Sequence, residues 1–446
     1  MFFEVSSYNF GKNSKNKCIF ARVFAIVNLQ NYIQMKHIKY SAIAIISLVG
    51  CYTLLMSVIY LIPNDLIKKN VDFSVQNLVI DGDYPVGLFG ASTMLDNFTD
   101  TLMLNHCISS ISGNVFQKGL DINGYARYWH GYQVFLRPML IVFDDVQIKY
   151  INLFLFYFLL IYLIILLNKE MGGTGVFAFL FPLIMCQFYM IPISKQFFSA
   201  FFITLLAGIY ILKFYKNVKN DLFAFVFFLI VGSLTSFFDL LTVPLLTLGI
   251  PLIILYFLTK ERFSPLQGVF FIIKNSLSWF LGYGLSWFFK WLIANIALGR
   301  DVLIDAFQSV LFRIAGECEE VKVTLFSGIR ENIYRMMYTY PAGPLIEQPT
   351  PNSPVKYISF VIILLVLIVF AVVAIRYKIN FRSVKKAAPL LLIATYPYIW
   401  YAVLANHSTI HAFTYRAQLI TGFAVLLFLF SCVDLNALKR ITRRET

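Results

Sequence analysis

Residues 151–167 read "INLFLFYFLLIYLIILL", a run without one charged side chain. It approaches the ~18–20 apolar residues a helix needs to cross bilayer hydrocarbon, and several similar runs follow it. A backbone in lipid must satisfy its own hydrogen bonds, which leaves helices or closed barrels. Barrel strands alternate apolar and polar residues, whereas these runs are continuously apolar. Composition agrees: 59% of the 446 residues are hydrophobic and 13% are charged, about half the charged share of a soluble chain. The expected class is an all-α polytopic membrane protein.

Ten spans are expected, at roughly 41–62, 150–167, 174–193, 197–213, 222–238, 240–258, 268–298, 356–375, 387–404 and 417–433. The seventh is long enough to tilt or break near Gly282. Short connections such as "KFYKNVKN" and "RYKINFRSVKK" are strongly basic. Basic loops stay in the cytoplasm, so both termini are expected there, in a bacterial plasma membrane. The net charge of +14 is then an orientation signal, and no nucleic-acid partner is needed to account for it. Residues 1–34 are a polar stretch, read as a cytoplasmic tail or as sequence upstream of a start at Met35. The remainder, 35–446, is expected to form one transmembrane domain.

This topology leaves two large segments outside, 63–149 and 299–355, the first and fourth external loops. Loops of that length are uncommon unless they carry function. The six cysteines show no metal-binding spacing. Cys107 and Cys318 fall one in each loop, either as free thiols or as a pair.

Four constellations could carry chemistry. In "STMLDNFTDTLMLNHC", Asp96 and Asp100 are four apart and on a helix would share a face, suiting a general base or a base beside a divalent cation. The competing reading is a capping box, Thr93 with Asp96. In "YARYWHGYQVFLRP", Arg127, His130 and Arg137 offer donors to phosphate, and Trp129 a face for a sugar ring. The competing reading is an interfacial aromatic belt. "VFLRPMLIVF" is too short to span and reads as an in-plane or re-entrant helix. In "NHSTIHAFTYR", His407, His411 and Arg416 suit an anion site, while HxxxH lacks the glutamate and third ligand of a zinc site. Asp239 stands between two spans, where an acid at membrane depth is a functional candidate. Asn97 and Asn406 begin glycosylation-type triplets.

The layout resembles the GT-C superfamily of integral-membrane glycosyltransferases. The resemblance covers the topology of 35–446, with Asp96 and Asp100 matching the family's loop-one acids by position. The acid pair directly after the first span is replaced by "PNDL". "YARYWHGYQVFLRP" and "HSTIHAFTYR" are also similar to membrane proteins of bacterial cell-surface polysaccharide loci. The resemblance implies in-plane helices in the first loop and inverting transfer of a sugar from a polyprenyl-phosphate donor to a glycan or lipid-linked acceptor. A loop-one carboxylate would be the base, and basic groups would hold the leaving phosphate. A polysaccharide polymerase or ligase, and a transporter or flippase of lipid-linked glycans, are the alternatives.

Overall fold

The computed structural model describes residues 14–87, 93–218, 220–315, 323–337 and 380–433, with single positions between 361 and 372. The described elements are helical, and the bridge between Ile122 and Tyr125 is isolated. Five helices are long and apolar enough to cross a membrane: Met35–Ile59, Asp145–Met185, Lys195–Val218, Asp221–Phe238 and Ala412–Cys432. The chain is thus an all-α, membrane-embedded protein. The expected span 356–375 and Cys318 lie outside the described residues, apart from single positions in the span.

The first helix, α1 (Ser14–Ile59), runs without a break through the point where the sequence suggests a start. Four shorter helices follow: α2 (Asn64–Asp81), α3 (Asn97–Asn105), α4 (Val115–Leu120) and α5 (Gln133–Met139). Helix α6 (Asp145–Met185) opens on a capping box, Asp144 with Gln147, but contains one non-helical residue, Gly172 (φ 71°, ψ −177°). Unbroken, it would be about 60 Å long. Yet the Tyr157 and Phe188 rings are 6.2 Å apart, and Asp145 pairs with Lys195. The chain therefore reverses at Gly172, where glycine tolerates a positive φ. The two expected segments 150–167 and 174–193 form an antiparallel hairpin.

Helices α7 (Lys195–Val218), α8 (Asp221–Phe238), α9 (Leu246–Thr259) and α10 (Pro265–Leu298) form the apolar body. Helix α10 is not broken at Gly282. Gly282 instead packs against the Leu229 backbone, and Gly232 against the carbonyl of Trp279, so α8 and α10 meet backbone to backbone, as small residues allow between membrane helices. After α10 come α11 (Val302–Ala315), α12 (Ser327–Met337), α13 (Phe381–Ala387), α14 (Leu390–Ala394), α15 (Tyr396–Val403), α16 (Ala405–Ile410) and α17 (Leu419–Cys432). The expected helix 387–404 is thus two short pieces, with proline at the start of the second.

Candidate functional site: a cationic cavity roofed by α11

A cavity of about 400 Å³ is lined by Arg127, by Asp305, Gln308, Ser309, Phe312 and Arg313 of α11, and by Asn406, His407, Ile410 and His411 around α16. That volume lies within the roughly 300–1,000 Å³ of small-ligand sites. Three segments far apart in sequence build it, two of them singled out by sequence reading. The third, α11, was not, although its polar positions Asp305, Ser309 and Arg313 recur at helical spacing.

Local structure fixes each wall. Arg127 pairs with Asp305 at 2.7 Å and lies over the Tyr125 ring at 4.4 Å, while Trp291 donates to its backbone carbonyl. Arg313 donates to the Tyr128 hydroxyl at 2.8 Å. Burial pushes that hydroxyl's pKa up to about 12, so it stays protonated. His407 donates from Nε2 to the carbonyl of Leu241 at 2.9 Å, and its ring lies 4.5 Å from that of His411. Burial, with the neighbouring Arg313 charge, lowers His411 to about 4 and His407 well below its ordinary value. Both imidazoles are neutral at physiological pH. Arg335 of α12 donates to the carbonyls of Ser408, Thr409 and His411 and fixes the end of α16.

Asp239 does not line the cavity but holds its edge. Its carboxylate accepts from the backbone and hydroxyl of Thr242, tying the turn in which Leu241 takes a positive φ of 66°. That turn presents the carbonyl to His407. Burial raises Asp239 to about 7, against the hydrogen bonds from its turn.

The other expected site residues are engaged elsewhere. Asp96 is the N-cap of α3, accepting from the Thr99 amide at 2.8 Å and its hydroxyl at 2.9 Å. It is therefore the cap itself, not the third residue of a box begun by Thr93. An N-cap has non-helical φ and ψ, so the four-residue spacing does not put Asp96 and Asp100 on one face. Asp100 is buried and accepts from the backbone N–H groups of Lys195 and Gln196 at the start of α7. Burial raises its proton affinity, and the Lys195 charge opposes this. The two carboxylates do not converge on a cation, and the described residues contain no group of three potential metal ligands.

Arg137 is fully buried. Its guanidinium donates to the carbonyls of Ile59, Ile62 and Cys107, closing the end of α1 onto the loop, and no part of it is exposed to meet a phosphate. Trp129 is a core residue, edge-on to Tyr52 and donating to the Ser286 carbonyl. His130 is buried with Nε2 on the Tyr125 carbonyl, and burial holds it neutral. Arg416 is buried over the Phe197 ring and donates to the Cys186 carbonyl. Of the "YARYWHGYQVFLRP" cluster, only Arg127 faces the cavity. The side-chain amides of Asn97 and Asn406 are buried, donating to Gly82 and Phe312, and are not open acceptors of glycans. Cys107 is a buried free thiol.

No protein-family model, curated protein or solved structure matches this chain.

Proposed function

We propose that the chain is a membrane glycosyltransferase that moves a sugar from a polyprenyl-phosphate donor to a cell-surface glycan or lipid-linked acceptor, with the donor phosphate held in the α11 cavity. One observation carries this reading: Arg127 and Arg313, brought together from distant segments, meet the neutral imidazoles of His407 and His411 in one cavity. On this reading the chain is GT-C-like, crosses the membrane ten times with both termini in the cytoplasm, and works on its outer face.

Arg127 and Arg313 hold the phosphate and stabilise the charge it gains on leaving. The acceptor oxygen attacks the anomeric carbon, and the carbon–oxygen bond to phosphate breaks with its electron pair. The acceptor's proton passes to His407, whose proton affinity the bound phosphate raises. Asp305, paired with Arg127, lies on the phosphate side. It orients the guanidinium rather than serving as the base for in-line displacement. A polymerase or ligase would use the same groups on a longer acceptor.

The test is binding of a labelled polyprenyl-phosphate hexose to protein in nanodiscs. The wild type should bind, and the double variant R127Q/R313Q should not. Absence of wild-type binding would overturn the reading. A second reading, a transporter of lipid-linked glycans, is favoured by the buried ion-paired group Asp100, Asp145 and Lys195, since buried charges in membrane proteins mark transport paths. Movement of the same lipid across proteoliposomes, without transfer, would favour it.

A further inference from the structure

Helix α11 has two faces of opposite character. Val302, Ala306, Ser309 and Arg313 turn inward, and Ile304, Phe307, Leu311 and Ile314 form a stripe on the other side. The spacing of three, four and three residues keeps the four on one line of a helix. All four are exposed, Phe307 by 62%. A helix that met water there would carry polar residues.

The surroundings identify what covers the stripe. Helix α10 ends at Leu298, and α11 begins at Val302. Toward its other end, α10 carries Lys274, paired with Asp221 at the start of α8. Between that charge pair and Leu298 the helix rises about 35 Å, close to the ~30 Å of bilayer hydrocarbon with a modest tilt; α10 is less apolar than the five helices above and carries Lys290, whose ammonium is buried on the Leu120 carbonyl. Along this length α10 exposes Leu277, Leu281, Phe288 and Ile296, so an apolar outer surface leads directly into α11. Below that junction, about 16 and 10 Å along α10 from Leu298, Trp287 packs on Tyr128 and Trp291 donates to the Arg127 carbonyl.

We infer that α11 lies in the plane of the membrane interface, its Ile304–Phe307–Leu311–Ile314 stripe in lipid acyl chains and its opposite face forming a wall of the cavity. The inference needs the membrane embedding but not the transferase reading. An interfacial helix sinks its apolar face about 5–10 Å below the headgroups. The cavity on its other side then stands at phosphate depth. A ligand on a lipid anchor can reach the arginines there without leaving the bilayer.

The test places the photo-cross-linking residue benzoylphenylalanine at positions 307, 311 and 308, singly, in protein reconstituted into phosphatidylethanolamine and phosphatidylglycerol vesicles. Adducts are identified by mass spectrometry. Lipid acyl adducts should form at 307 and 311, at least tenfold above 308, which lines the cavity. A cross-linked second copy at 307 or 311 would mean that protein covers the stripe and would overturn the inference. Equal lipid yields at all three positions would also overturn it, because the helix would then have no membrane face. Phe307 to benzoylphenylalanine exchanges one exposed aromatic for another, so folding is preserved at that site even where the other two fail.

Discussion

Arg127 and Asp305, 178 positions apart, join their side chains at 2.7 Å on the rim of the cavity. The pair is partly exposed, and such pairs contribute about 0–1 kcal/mol to stability. Its significance is therefore for binding. Lysine would keep the charge of Arg127 but lose the fork that engages Asp305 and phosphate oxygens together. Arg127→Lys should weaken polyprenyl-phosphate binding by roughly tenfold, the equivalent of one charge-assisted hydrogen bond. The melting temperature should stay within a few degrees. Unchanged binding by titration in nanodiscs would remove Arg127 from the site.

Arg137 should behave in the opposite way. It is enclosed by three carbonyls and the Tyr60 ring. Arg137→Met removes a donor from all three carbonyls, of which that of Ile59 keeps the Ile62 N–H, at about 1–3 kcal/mol for each one left unpaired. The expected result is loss of folded protein in size-exclusion chromatography. A well-folded variant that merely failed to bind phosphate would restore the ligand role that sequence reading gave this residue.

Asp96 and Asp100 should separate by stability. Asparagine caps nearly as well as aspartate, so Asp96→Asn should shift unfolding by a few tenths of a kcal/mol. Asp100→Asn places an amide against two backbone N–H groups and Lys195, with an expected loss of about 1–3 kcal/mol. Thermal unfolding in detergent reads both. A fully stable but inactive Asp100→Asn protein would revive a catalytic carboxylate in the first external loop.

Two groups at the cavity give opposite pH trends. His411 is lowered to about 4, so its contribution is complete above the unfolded value of about 6.5 and is lost as pH falls toward 4. His411→Gln should flatten the acid limb of stability against pH. Asp239 is raised to about 7. Its contribution is complete below about 3.9 and is lost as pH rises through 7. Asp239→Asn should therefore stabilise the protein more at about pH 8 than at about pH 5. Equal gains at both values would show that the carboxyl titrates normally.

Gly282 offers a test of the body of the fold. A methyl group there meets the Leu229 carbonyl of α8, and backbone cannot swing aside as a side chain can. Gly282→Ala should cost about 3 kcal/mol or more, at the upper end for overpacking. Gly284→Ala, which meets nothing, is the matched control. Similar unfolding temperatures for the two would mean that α8 and α10 are not in backbone contact.

The apolar helices were legible because their signal is local: each run is long, poor in charge and in places bounded by a cap such as Ser264 with Gln267. The division between 150–167 and 174–193 was likewise legible, and the chain reverses there at Gly172. Site residues were harder, because a buried polar residue and a ligand-binding one look alike in sequence. Arg137 and Arg127 share one short stretch, and only folding reveals that the first meets carbonyls and the second a cavity. The partners of Asp100 lie about 95 positions away, beyond any spacing rule. Asp305 and Arg313 were overlooked because their helix was read only as part of a long loop.

The hydrogen bond from His407 to Leu241 has one more consequence. A carbonyl only accepts, so the imidazole proton resides on Nε2, and the neutral ring presents a lone pair at Nδ1. A lone pair repels a phosphate oxygen and welcomes a hydroxyl. The cavity thereby offers guanidinium donors for an anion and, in the neutral imidazole, an acceptor for an alcohol, with Arg313 close to both histidines. Nitrogen chemical shifts showing the proton on Nδ1 would remove that acceptor and the bond to Leu241; with it on Nε2, the strained turn at Leu241 sets the tautomer that a ligand meets.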